Sequence, residues 1–187
     1  MSEARGAVIP PAWVAAANRF DRWADDQLEP WRGQPRLAAV MRGASHLGDF
    51  SVIWHLAGAL RGLTGKQRAR QAVILSTLLG VESLIVNQGL KRIFRRQRPT
   101  ESGDERLPVR RPSTSSFPSG HASAAAFAAS LLIGWDGRKS IPLWAGLGTS
   151  VALSRVYVRI HHATDIVGGM VTGLALGAAA RRLLRNR

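Results

Sequence analysis

The sequence predicts an all-α fold: an integral-membrane helical bundle of about five to six transmembrane helices, with an amphipathic N-terminal helix. Three observations predict it. Apolar runs of helix length recur near 44–60, 71–90, 118–135, 141–160 and 163–184. Basic or glycine- and proline-bearing loops separate them. No stretch alternates apolar and polar residues with the period of a strand. Apolar residues make up 45% of the 187 positions, which fits a globular or a small membrane protein. The average hydropathy near zero hides the pattern, because polar residues gather in the first 45 positions, the loops and the tail.

The elements follow in order. Residues 1–9 read as a disordered leader, and residues 10–187 as one domain. No basic region precedes an apolar one at the start, so no cleavable signal peptide is expected. Over 10–32, Trp13, Ala17, Phe20, Trp23, Ala24, Gln27 and Trp31 recur at helical spacing. Arg19, Asp21, Arg22, Asp25 and Asp26 fill the other face. This helix is too charged to span a bilayer. It fits the interface with its Trp side among headgroups; the alternative is an amphipathic helix packed on the rest of the protein. Gly33-Gln34-Pro35 ends it.

The first candidate span, 44–60, is interrupted by His46, Asp49 and His55. A basic loop, 61–70, leads to the second, 71–90, which carries Glu82 and Asn87. An ionisable residue inside a span faces the bundle interior as a rule, so Glu82 is a packing or site-support candidate. Pro99, Pro108 and Pro112 make 92–117 a long, arginine-rich loop. Two spans joined by a short turn at 136–140 follow. In the last span Gly169, Gly173 and Gly177 form a stripe suited to close helix contact.

Cysteine is absent, which excludes disulfides, thiol nucleophiles and cysteine-bound zinc. The net charge is +14, with 26 Lys and Arg against 12 Asp and Glu. The arginines flank apolar segments instead of lining one polar face. That pattern favours phosphate and lipid over nucleic acid.

The chemistry centres on Phe117-Pro118-Ser119-Gly120-His121, at the mouth of an apolar helix. Helix-start amides attract anions, and His121 sits where it can move a proton. Alone, Ser-Gly-His also fits a helix cap with an incidental histidine. Two flanking blocks add weight: Lys91 to Pro99, and Ser154 to Asp165. The order is Lys91, six residues, Arg98-Pro99; then Pro118-Ser119-Gly120-His121; then Ser154-Arg155, five residues, His161, three residues, Asp165. Together the three blocks resemble the signature of the type 2 phosphatidic acid phosphatase superfamily, over about half of the chain. Members commonly have six membrane helices, so the impure first span departs from the pattern.

The resemblance implies a membrane lipid phosphatase with no cofactor and no metal. Lys91, Arg98 and Arg155 would clamp phosphate, with Ser119 and the Gly120 amide adding hydrogen bonds. His161 would attack phosphorus to give a phosphohistidine, Asp165 would fix the ring, and His121 would protonate the leaving alcohol. Alternating spans would bring all three blocks to one membrane face. Against this stands the plainer possibility that Lys91 and the arginines only anchor helix ends at headgroups. His161 and His162 point about 100° apart on a helix, which disfavours a metal pair, and His162 takes no role. Arg95 and Arg159 are candidates for headgroup or supporting contacts.

Expected partners are a phosphorylated lipid substrate and the bilayer, with no nucleic acid. A homo-oligomer stays open. The substrate class is a polyprenyl phosphate or diphosphate, a polyprenyl-linked sugar phosphate, or a glycerol-lipid phosphate. The superfamily also holds the large, soluble vanadium haloperoxidases, which this short chain with several spans does not match. A non-catalytic lipid-binding protein of the same fold is the alternative. The basic loops away from the site place the site on the external face of the cell membrane by the positive-inside rule.

Overall fold

A computed structural model describes residues 10–100, 104, 106, 107, 109 and 113–186. The expected leader, 1–9, and parts of the expected loop, 92–117, lie outside the described residues. The helices are α1 (Pro11–Arg32), α2 (Pro35–Gly48), α3 (Val52–Gly62), α4 (Lys66–Leu84), α5 (Lys91–Ile93), α6 (Gly120–Asp136), α7 (Ile141–Tyr157) and α8 (Ala163–Arg185). Among the described residues there is no strand.

The first candidate span, 44–60, is not one helix. Phe50 and Ser51 adopt left-handed backbone angles, φ 52° and 60°, and break the chain between α2 and α3. That conformation is costly for residues other than glycine, and it recurs at functional sites. The next helix starts earlier than expected, so Lys66–Arg70 are helical and not loop. α4 runs through a wider, π-helical segment, Ile85–Leu90, into α5. Lys91 therefore lies near the end of a continuous helix of 28 residues.

Among the described residues, two helices are long and apolar enough to cross a membrane: Lys66–Ile93 and Ala163–Arg185. α6 and α7 have 17 residues each. That gives about 25 Å of helix, short of the roughly 30 Å hydrocarbon layer. α6 is the centre of the molecule. Its alanines, with Phe127, Leu131 and Leu132, are buried on almost every side.

α6 and α8 form the tightest pair. The glycine stripe of α8 explains it. A Cβ at Gly169 would strike the Ser119 carbonyl, and one at Gly173 the Ser123 carbonyl. At Gly177 it would lie 2.9 Å from Ser130. The backbones approach because those positions have no side chain. Trp54, Leu75, Leu79, Leu131 and Val151 join the same core from α3, α4, α6 and α7. At the far end, Arg61 pairs with Asp136 at 2.6 Å and lies 5.6 Å over the Trp135 ring.

α1 packs with its charged side inward. Arg32 is buried and donates to the carbonyls of Tyr157 (2.8 Å) and Val156 (3.2 Å). Asp25 and Glu29 bind Arg159, each at 2.8 Å, at a residue with φ 56°. Trp13, Phe20, Trp23 and Trp31 remain exposed on the outer side.

Candidate active site

α6 opens the site. Ser119 caps it, its Oγ accepting from the Ala122 amide at 3.4 Å. Gly120 and His121 then start the helix, where amides have no intrahelical acceptor. The Ser119 amide donates to the Asp165 carbonyl at 3.0 Å, which locks the start of α6 to the start of α8. Lys91 arrives from α5; a Cβ on Gly120 would sit 3.6 Å from its Nζ. Lys91 also reaches Thr114 Oγ1 at 3.5 Å.

His161 lies in the turn before α8, not on the helix, and is fully buried. Its Nδ1 is 3.3 Å from Asp165 Oδ2, and its Nε2 is 3.2 Å from Arg98 Nη1. Arg98 is fixed by donating to the carbonyls of Ile160 (3.0 Å) and Thr114 (3.1 Å). Burial pushes the His161 ring down to about 3, with Arg98 and Arg155 adding to the effect against the pull of Asp165. The ring is thus neutral at pH 7. Its proton belongs on Nδ1, facing the carboxylate, which leaves the Nε2 lone pair beside Arg98.

Asp165 is held from several sides. It accepts from the His162 amide at 2.9 Å, from Ser116 Oγ, and from Arg96 Nη1 at 2.6 Å. Arg155 is buried on α7, and its Nη1 donates to Ser45 Oγ. Its Nε and Nη2 are buried with no hydrogen-bond partner among the described residues. A buried guanidinium with two nitrogens lacking acceptors calls for an anion. His121 Nε2 lies 3.0 Å from Asp49 Oδ1, at the kink after α2.

Lys91, Arg98, Ser119, Gly120, His121, Arg155, His161 and Asp165 thus gather at one end of the bundle. Three participants do not stand out in the sequence. Asp49 looks like an impurity in an apolar run. Asp21 and Arg96 look like part of one helix face and one loop cation among many. Arg159, a candidate for headgroup or supporting contacts, is held by Asp25 and Glu29. Arg95 is exposed, on a pocket of about 850 Å³ that it shares with Lys91, Arg92, Arg96 and Arg98. His162 caps α8. Glu82 is buried and accepts from Ser123 Oγ, as its place inside a span suggested.

Residues 71–187 match the family model of the PAP2 superfamily. The chain belongs to the PAP2 superfamily. It is 32% identical over 146 residues to decaprenylphosphoryl-5-phosphoribose phosphatase of Mycobacterium tuberculosis, covering 78% of this chain and 79% of that one. The corresponding protein of Mycolicibacterium smegmatis is 36% identical over 139 residues, 73% of each chain. Phosphatidylglycerophosphatase B of Bacillus subtilis is 30% identical over 154 residues, 76% of this chain and 73% of that one. The fold matches the crystal structure of a transmembrane PAP2 type phosphatidylglycerolphosphate phosphatase from Bacillus subtilis with a TM-score of 0.71. That match covers 96% of this chain and 90% of the other at 25% identity. These PAP2 relatives are phosphatases whose names specify lipid substrates.

Proposed function

We propose that this PAP2 chain is a multi-pass membrane phosphatase that removes a terminal phosphate from a polyprenyl, polyprenyl-linked sugar or glycerol lipid through a phosphohistidine, without a metal. The observation that carries the reading is Arg155: a buried guanidinium with two nitrogens lacking acceptors, at the site where His161 keeps a neutral ring. A phosphate monoester supplies the missing acceptors. Lys91, Arg98 and Arg155 bind its oxygens, with Ser119 and the Gly120 amide at the helix start.

His161 Nε2 attacks phosphorus, the P–N bond forms and the P–O bond to the alcohol breaks. His121 gives its proton to the departing oxygen. Asp49 Oδ1, 3.0 Å from the His121 Nε2, orients the ring for this transfer. Water then attacks the phosphohistidine, His121 takes a proton from it, and the P–N bond breaks. Phosphate leaves and His161 is neutral again. Asp165 supports the imidazolium character that His161 gains on attack. Three fixed cations match the charge spread over the transferring phosphoryl group.

The site faces outward in this reading. The opposite end carries Arg61, Lys66, Arg68, Arg138 and Lys139, followed by the arginines that close α8. A cationic end marks the cytoplasmic side. α1 lies at the interface with its exposed tryptophans among headgroups.

Purified protein in excess chelator, given a panel of phosphorylated lipids, should release inorganic phosphate. His161→Ala should remove that activity and keep the fold. Lipid binding without phosphate release would favour the non-catalytic alternative. Strict dependence on an added divalent ion would overturn the metal-free clamp.

A further inference from the structure

We propose that the cleft on the His121 side of the site is a subsite for an uncharged, hydroxylated group esterified directly to the scissile phosphate, a pentose or glycerol unit. It selects such phosphomonoesters over diphosphates. This rests on the phosphatase reading and narrows its substrate.

In phosphoryl transfer the attacking and leaving atoms lie in line, on opposite sides of phosphorus. His161 attacks and His121 serves the leaving oxygen, so the esterified group extends past His121. A cleft of about 470 Å³ starts there, lined at its inner end by Gly48, Asp49, Lys91, Gly120 and His121. His161 is not on its wall. The volume lies within the range of small-ligand sites, about 300–1,000 Å³.

The wall of the cleft mixes apolar groups (Leu79, Leu84, Ala124) with polar side chains that a spanning helix would not need for lipid contact. Lys66–Ile93 is one of the two helices apolar enough to cross a membrane, yet Ser76, Glu82, Ser83, Asn87 and Gln88 all line this cleft. Polar side chains on a spanning helix gather where a polar cavity or ligand meets them. Across from them stands His55, its Nδ1 2.9 Å from Ser76 Oγ. Asn87 donates to Ser83 Oγ at 3.0 Å. These groups offer both donors and acceptors, as hydroxyls require.

The charge of the cleft disfavours a second phosphate. Among the described residues, Lys91 is the one Lys or Arg on the wall, and it belongs to the phosphate end. Asp49 is a carboxylate at the inner end. A second phosphate next to the scissile one would meet Asp49 and no further Lys or Arg among the described residues, whereas neutral hydroxyls would not be repelled. The pocket on the other side of Lys91 has the opposite character, with Arg92, Arg95, Arg96 and Arg98.

Asn87 marks the junction. It sits in the π-helical segment, a local widening that recurs at functional sites. A Cβ on Gly120 would meet Asn87 Oδ1 at 3.2 Å, so the amide lies beside the start of α6. Ser83 and Gln88 are exposed at the outer rim, where a lipid chain can leave sideways toward the bilayer.

The test compares three substrates: a short-chain polyprenylphosphoryl pentose 5-phosphate, a polyprenyl diphosphate of the same chain length, and p-nitrophenyl phosphate. The wild type should show the highest kcat/KM with the pentose phosphate. Asn87→Leu keeps the bulk and removes the hydrogen bonds. It should lower kcat/KM for the pentose phosphate about tenfold, a loss typical of a buried hydrogen bond, and leave the other two within about threefold. Ser83→Ala, at an exposed position, should move the same ratio in the same direction by less. Equal losses on all three substrates, no loss on any, or a wild-type preference for the diphosphate would overturn the subsite. If the wild type releases phosphate from none of the three, the phosphatase reading itself fails.

Discussion

Asp21 on α1 and Asp165 on α8 share one guanidinium. Arg96 donates to Asp165 Oδ1 at 2.6 Å and to Asp21 Oδ2 at 2.5 Å. Asp21 also accepts from the Thr164 amide at 2.8 Å. The N-terminal helix is thereby wired to the carboxylate that orients His161. Asp21→Asn and Arg96→Ala should lower kcat on the order of 10²-fold, the scale of a small misplacement of a reacting group, with little change in KM. The KM-against-kcat split, with a matched thermal melt, separates this from loss of fold. A change confined to KM would mean that Arg96 serves substrate binding alone.

His121→Ala should hurt most where the leaving group is poor. A lipid alkoxide needs a proton in the transition state, and p-nitrophenolate does not. General acid catalysis is worth about 10²- to 10⁴-fold. Single-turnover cleavage of a lipid phosphate should fall by that order, and first-turnover release of p-nitrophenolate by far less. Equal losses would assign His121 to phosphate binding or to the helix start.

Docking of α1 should fail in acid. Burial pushes Asp25 up, but the hydrogen bond from Arg159 and the charge of Arg32 outweigh it, so its carboxyl sits below 3.8. Hydrogen bonds from Arg32 and Arg106 hold Glu29 below 4.5, and Arg106 holds Asp104 below 3.8. A carboxylate with a depressed folded value stabilises the fold above its unfolded value and loses that contribution as pH falls through the folded one. The melting temperature should therefore drop below about pH 4, with α1 becoming sensitive to an acid protease. Arg159→Ala should flatten that drop. A drop of unchanged size in the variant would place the acid sensitivity elsewhere.

The native chain has no cysteine, so single cysteines give a clean topology test. Ser113→Cys and Lys139→Cys are both at exposed positions, on the site end and the far end. An impermeant thiol reagent should label Ser113→Cys from outside intact cells, and Lys139→Cys only after lysis. Labelling of both from one side would break the alternation of spans that gathers the site.

Much of the site was legible because its residues occupy fixed spacings at helix ends, where sequence position and topology determine location. The glycine stripe of α8 was legible for a similar reason, since only small residues permit that approach. The kink after Gly48 was not, because Asp49-Phe50-Ser51 contains neither glycine nor proline. Tertiary contacts fix the chain just before its left-handed residues. Asp49 binds His121, and Gly48 packs so closely on the same ring that a Cβ there would lie 2.5 Å from it. The inward face of α1 was hidden too. An aspartate on an amphipathic helix reads alike whether it faces water or a buried arginine. Only the fold brings Arg96 and Arg159 to those carboxylates.

The proposed mechanism displaces groups at phosphorus twice, first by His161 and then by water. The stereochemical course tests this without trapping any intermediate. An oxygen-isotope-chiral phosphorothioate ester, hydrolysed in isotopically labelled water, should give thiophosphate with net retention, because two in-line inversions cancel. Net inversion would mean that water attacks the ester directly, and it would contradict the phosphohistidine.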